Sequence, residues 1–146
     1  MGLIRDLGGG SVGLDTAVFI YFIEEHPRFL PLVESIFVAL DEEQLVGVTS
    51  TVTLLETLVV PIRAGNLSLA ERYEALLSSS RGLRLIDLDR PLVRLAAQIR
   101  AHEGLKTPDA LQVAAALRTG CTTFLTNDRK IPAVGGLRVL QLRDYL

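Results

Sequence analysis

The sequence predicts an α/β protein, a three-layer α/β/α sandwich around a mostly parallel central sheet of about five strands. Three observations predict it. Short strand-like runs alternate with amphipathic stretches along the chain, the order that builds a parallel sheet through helical crossovers. Hydrophobic residues make up 49% of the sequence and mean hydropathy is +0.35, as a sheet covered on both faces requires. With 146 residues the chain suits one domain with a proper core, so 1–146 is expected to form a single unit, with residues 1–10 as a short N-terminal arm ending in Gly8-Gly9-Gly10.

The elements follow in order. Val12 to Leu14 reads as a first strand, ended by Asp15, and an apolar helix runs through Ile20 and Phe22 to Glu24. Pro27 is expected to start a second helix, because Leu32, Val33, Ile36, Phe37 and Leu40 recur at helical spacing. Leu45 to Thr49 is a second strand, after which Ser50 or Thr51 caps a helix that carries Glu56, with Pro61 near its end. Gly65-Asn66 breaks the chain, Leu67 to Leu77 is helical and Ser78-Ser79-Ser80 closes it. Leu83 to Leu88 is a third strand. Asp89 caps a helix with Arg90 and Pro91 in its first turn, running to about Ala101. Thr107-Pro108-Asp109 opens another, with Thr107 as cap, which Gly120 stops. Thr122 to Thr126 is a fourth strand, Asn127-Asp128 a turn, and Leu137 to Leu140 a fifth strand.

Composition narrows the function. The formal net charge of −2 lacks the basic excess of a simple nucleic-acid-binding module, although a local site could still handle nucleic acid. No apolar run reaches the length of a membrane span, and the N-terminus lacks the apolar core of a signal peptide. The single Cys121 rules out an internal disulfide and fits a reducing cytoplasm, with the thiol as a small buried hydrophobe. His26, before Pro27, and His102, near a helix end, suit capping or surface roles. No Cys/His metal spacing, serine-centred elbow or phosphate-cradling glycine loop occurs.

Four acids stand out. Asp15, Glu56, Asp109 and Asp128 each lie at or just beyond a place where a strand gives way to a helix or turn. In a parallel sheet such places share one edge, and if the first and fourth strands are neighbours a switch point lies between them, where ligands bind. Carboxylates gathered there repel one another, and divalent cations are the usual remedy. Each acid taken singly has an ordinary explanation. Asp15 could cap a helix, Asp109 suits the positive end of a helix dipole, Asp128 is normal in a turn, and Glu56 could pair with Arg63. Helical rotation, however, puts Glu56 among Val52, Val59 and Val60, and puts Asp109 on the face of Val113 and Ala116. Both acids therefore begin or interrupt apolar stripes.

Ordered segments carry a resemblance. They are Leu14-Asp15-Thr16 with Val18-Phe19-Ile20-Tyr21; Thr49-Ser50 through Leu55-Glu56; Lys106-Thr107-Pro108-Asp109-Ala110-Leu111 with Ala114-Ala115-Ala116; and Phe124-Leu125-Thr126-Asn127-Asp128. In this order the sequence resembles the PIN-domain nucleases, specifically the VapC-type toxins of toxin–antitoxin pairs. The resemblance implies strand order 3-2-1-4-5, binding of Mg²⁺ or Mn²⁺ by Asp15, Glu56, Asp109 and Asp128, and hydrolysis of RNA phosphodiester bonds. It implies that Thr126 assists the site, that a small antitoxin neutralises the protein, and that the chain forms a homodimer. Ala17 departs from the small polar residue many relatives carry after the Asp-Thr pair. Asp15 and Asp109 are the preferred direct ligands, with Glu56 and Asp128 acting through water or holding a second ion. Lys106, Arg129 and Lys130 flank two of the acids and are candidate RNA-phosphate contacts. Phe19, Phe22, Phe29 and Phe37 are candidates to line partner interfaces, with core packing as the commoner role. Alternatives are a PIN nuclease that processes RNA outside a toxin–antitoxin pair, or a phospho-receiver module built on Asp15, Asp87 or Asp89, Thr126 and Lys130.

Overall fold

Five strands form one sheet, β1 (Ser11–Leu14), β2 (Val46–Ser50), β3 (Leu83–Ile86), β4 (Thr123–Thr126) and β5 (Arg138–Gln141), in a computed structural model that describes residues 2–146. Their order is β3-β2-β1-β4-β5 and every pairing is parallel. The crossovers supply the helices α1 (Gly2–Leu7), α2 (Thr16–Ile23), α3 (Leu30–Asp41), α4 (Thr51–Arg63), α5 (Leu67–Ser79), α6 (Arg90–Glu103) and α7 (Thr107–Arg118). A 3₁₀ turn, Leu142–Tyr145, ends the chain.

Strand alternation divides the core in two. Val12, Leu14 and Leu125 face a layer built from α1, α2, α3 and α5, including Leu3, Phe19, Ile36 and Leu77. Val48 and Phe124 face α6 and α7, where they meet Leu92, Ala96, Val113 and Ala116. Small residues let α7 lie close to the sheet. A Cβ at Gly13 would fall 2.7 Å from the Phe124 ring and 2.8 Å from the Ala116 Cβ. Helix α4 touches both α2 and α7, so it lies between the two helical layers.

Several local expectations need correction. The N-terminal arm is a helix whose Leu3 and Leu7 are buried, packed on α3. The helix expected from Pro27 begins at Leu30, because His26 Nδ1 accepts the amides of Arg28 (3.1 Å) and Phe29 (3.3 Å) and holds a turn there. His26 thus closes a turn ahead of the helix, whose own cap position, Phe29, has no side-chain cap. At α7 the cap position is Lys106 rather than Thr107, which is already helical, and no side chain caps the end. Strand β3 stops at Ile86, short of Leu88. Phe19 and Phe29 are core residues, and Phe22 stacks on Phe37 with ring centroids 4.2 Å apart, so the early aromatics serve packing. Cys121 is buried, as expected. Among the described residues no helix is long and apolar enough to cross a membrane.

Candidate active site

Neighbouring β1 and β4 are paired through Leu14 and Leu125, which brings Asp15 beside the end of β4. The Asp15 amide donates to the Leu125 carbonyl (3.0 Å). Its carboxylate then accepts from two directions. Oδ1 takes the Thr16 amide (2.9 Å), capping α2, and Oδ2 takes the Thr126 hydroxyl (2.6 Å). The same Thr126 oxygen accepts the Asp128 amide (3.0 Å), so one hydroxyl fixes both acids on the edge. Asp128 Oδ1 in turn accepts the Lys130 amide (2.9 Å), and its carbonyl accepts from Gln141 Nε2 (3.1 Å). Asp109, half-buried in the first turn of α7, lines a groove with Asp128, Lys106 and Lys130.

Glu56 arrives from α4. Its Oε1 accepts the Thr16 hydroxyl at 2.6 Å, so its partner is Thr16 rather than Arg63. The stripe around it also differs from expectation. Val52 is buried, but Val59 and Val60 are exposed, as are Leu55 and Ile62, and Glu56 itself is exposed. Glu56 thus borders an exposed apolar face.

The electrostatics tie the acids together. Burial holds the Asp15 carboxyl above the ordinary carboxylate range, and the charges of Glu56 and Asp128 push the same way, against the hydrogen bonds from Thr126 and the Thr16 amide. Burial also raises Asp109, with Asp15 and Asp128 adding to it and Lys106 and Lys130 opposing. All four groups are carboxylates, the donor type a hard divalent cation takes. Among the described residues no three His, Cys, Asp or Glu side chains stand close enough to ligate one ion together. By donor chemistry, carboxylates suit a hard ion that takes one or two of them directly and keeps water elsewhere.

The predicted basic residues separate. Lys106 and Lys130 line the groove, whereas Arg129 pairs on the surface with Asp144 (2.8 Å). Sequence reasoning gave no site role to the polar layer beneath the acids: Thr16, Thr49 and Ser50, which stand in the segments that carry the resemblance, together with Thr53 and Gln112, all buried. A signal existed. Thr53 precedes Glu56 by three residues and Gln112 follows Asp109 by three, both polar positions on packed faces.

The family model described as PIN domain matches residues 12–137. The chain belongs to the PIN domain family. All four acids and Thr126 fall inside that span. Solved structures share the PIN fold. VapBC2 from Rickettsia felis bound to a promoter DNA fragment aligns with a TM-score of 0.69 at 19% identity, covering 90% of this chain and 98% of the other. A toxin–antitoxin complex from Klebsiella pneumoniae aligns at 0.64 and 17%, over 87% and 94%. DNA-bound VapBC from Salmonella typhimurium aligns at 0.64 and 21%, over 91% and 98%. The curated proteins contain no match to the sequence.

Proposed function

We propose that this PIN domain is a metal-dependent endoribonuclease that hydrolyses RNA phosphodiester bonds, and that it is the toxin of a toxin–antitoxin pair. One observation carries the proposal: Asp15 and Asp128 are fixed to a single Thr126 hydroxyl on the adjacent β1 and β4, within electrostatic reach of Asp109 and Glu56. Asp15 and Asp109 would hold Mg²⁺ or Mn²⁺ directly, with Glu56 and Asp128 acting through water. The chemistry a bound ion supplies is acidification of water and neutralisation of charge at the phosphate. The protein's own contribution is placement. Thr126 and the Thr16 amide favour the ionised, ligating form of Asp15, and the Thr16 hydroxyl orients Glu56. Lys106 and Lys130 offer positive charge to the substrate backbone along the groove, while Arg129 would have to leave Asp144 to do so.

Kinship in fold to VapBC and toxin–antitoxin complexes supports a small cognate antitoxin as partner. The exposed Leu55, Val59, Val60 and Ile62 beside Glu56 give such a partner an apolar face next to the acids. The cytoplasm is the proposed compartment, residues 1–146 the proposed single domain, and a homodimer the proposed assembly. A phospho-receiver is disfavoured, because that fold orders its strands 2-1-3-4-5 and this sheet runs 3-2-1-4-5. Asp89 is also committed elsewhere, to capping α6 and pairing with Arg118.

The test is cleavage of RNA by purified protein. Activity should need Mg²⁺ or Mn²⁺, stop with EDTA, and vanish in a folded Asp15→Asn variant. Full activity in that variant would sink the assignment. Growth arrest on expression, relieved by the adjacent small reading frame, separates the toxin from an RNA-processing nuclease.

A further inference from the structure

We propose that Gln112 is a positioning residue for Glu56, acting through Thr16 by fixing the direction in which the Thr16 hydroxyl proton points. The catalytic meaning of this role rests on the nuclease assignment above; its geometry does not.

Gln112 is 3% exposed and sits in α7 beneath the acids. Its Nε2 donates to Thr53 Oγ1 (2.7 Å) and Thr16 Oγ1 (3.2 Å), and its Oε1 accepts the Ser50 hydroxyl (2.6 Å). Ser50 Oγ accepts the Val52 amide (3.2 Å) and gives its own proton to Oε1, with the Nε2 end of the amide facing Thr16 and Thr53. The remaining hydroxyls then form a connected chain. Thr49 donates to the Leu14 carbonyl (2.9 Å), and Thr53, 2.7 Å from Thr49, donates to Thr49. Thr16 and Thr53 oxygens lie 3.2 Å apart, farther than the 2.6 Å between Thr16 Oγ1 and Glu56 Oε1. Thr16, approached by an Nε2 that only donates, turns its proton to the nearer and charged acceptor, Glu56 Oε1 at 2.6 Å. The amide in α7 thus reaches across to β2 and both ends of the α2–α4 contact, and holds the exposed Glu56 carboxylate from the buried side.

Gln112→Glu tests this with nearly the same shape. A carboxylate accepts only, so it draws the Thr16 proton away from Glu56. Its kcat for metal-dependent RNA cleavage should fall about 10- to 100-fold with KM little changed, the usual cost of losing an outer-shell partner. Thr16→Val should lose as much, Thr16→Ser should recover most of that loss, and Gln112→Glu placed on Thr16→Val should add little. A second readout needs no catalysis. In the metal-free protein at low temperature, NMR should show a slowly exchanging Thr16 hydroxyl proton with contacts to the Glu56 side chain, and those contacts should vanish in Gln112→Glu. If no form cleaves RNA but the proton behaves this way, the nuclease assignment fails and the positioning role stands. Fully additive losses in the double variant, or a Thr16 proton unmoved by Gln112→Glu, overturn the role. Should Gln112→Glu not fold, the wild-type spectrum decides: a Thr16 hydroxyl without contact to Glu56 overturns it.

Discussion

At Asp15 opposed influences meet on one carboxyl. Burial and the charges of Glu56 and Asp128 favour its protonated form, while the Thr126 hydroxyl and the Thr16 amide favour the ionised one. Thr126→Val removes one of the two restraining hydrogen bonds, so Asp15 should take up its proton at higher pH. The acid limb of the pH–rate profile should shift upward in that variant, and an unshifted limb would separate Thr126 from Asp15. Asp109 allows a stability test. Its folded carboxyl is raised, so the folded state binds the proton more tightly than the unfolded chain. The stability that results is present at low pH and lost as pH rises through the carboxylate range. Asp109→Asn should therefore raise the thermal midpoint of EDTA-treated protein at neutral pH, although the α7 dipole favours a charge at that position. A lowered midpoint would count against the repulsion. Asp15, Asp109 and Asp128 were legible in the sequence because each follows a strand or opens a helix, and Glu56 because a charge interrupts the apolar residues of α4. The hydroxyls and the amide of Gln112 were not, because a buried Thr or Gln looks locally like any other polar residue.

The helices were legible where their ends carry chemical signals. Asn66 accepts the Leu69 amide (3.1 Å) and caps α5, and the Gly65 before it takes a φ of 69°. Asn66→Ala should cost about 1 kcal/mol in urea unfolding, the usual loss for a cap. A change near zero would mean the amides at the start of α5 are satisfied by water. Asp89 was read correctly as the cap of α6 for the same reason. Elements whose ends depend on packing were read less well. Helix α1 has six residues, too few to form alone, and exists because Leu3 and Leu7 reach the core beside α3. Helix α4 shows the converse. Its apolar residues suggested an inward stripe, yet Leu55 and Val60 are each 64% exposed. Periodicity reports which residues share a face, and it does not report whether that face is covered.

Across the whole molecule, the site depends on how closely α7 lies against β1 and β4. Gly13 sets that distance, since a methyl group there would meet the Phe124 ring and the Ala116 Cβ, both held by the core. Gly13→Ala should cost about 1–3 kcal/mol from overpacking. It should also lower nuclease activity at temperatures where the fold survives, because α7 carries both Asp109 and Gln112. Unfolding in urea together with RNA cleavage at low temperature would separate the two effects, and an unchanged midpoint would mean that α7 shifts freely. The sequence by itself determined the alternation of strands and helices, the parallel sheet, and the lodging of four acids at the carboxyl ends of its strands. These follow from local periodicity, caps and turns. The order that puts β1 beside β4 was implied by the resemblance and is borne out by the sheet; only the tertiary structure decided that Thr126 reaches an acid 111 positions away, and that Gln112 reaches Thr16 across 96. It also decided that the apolar face beside Glu56 is open. Such contacts join residues far apart in the chain, and their energy is realised only when the whole sheet has assembled.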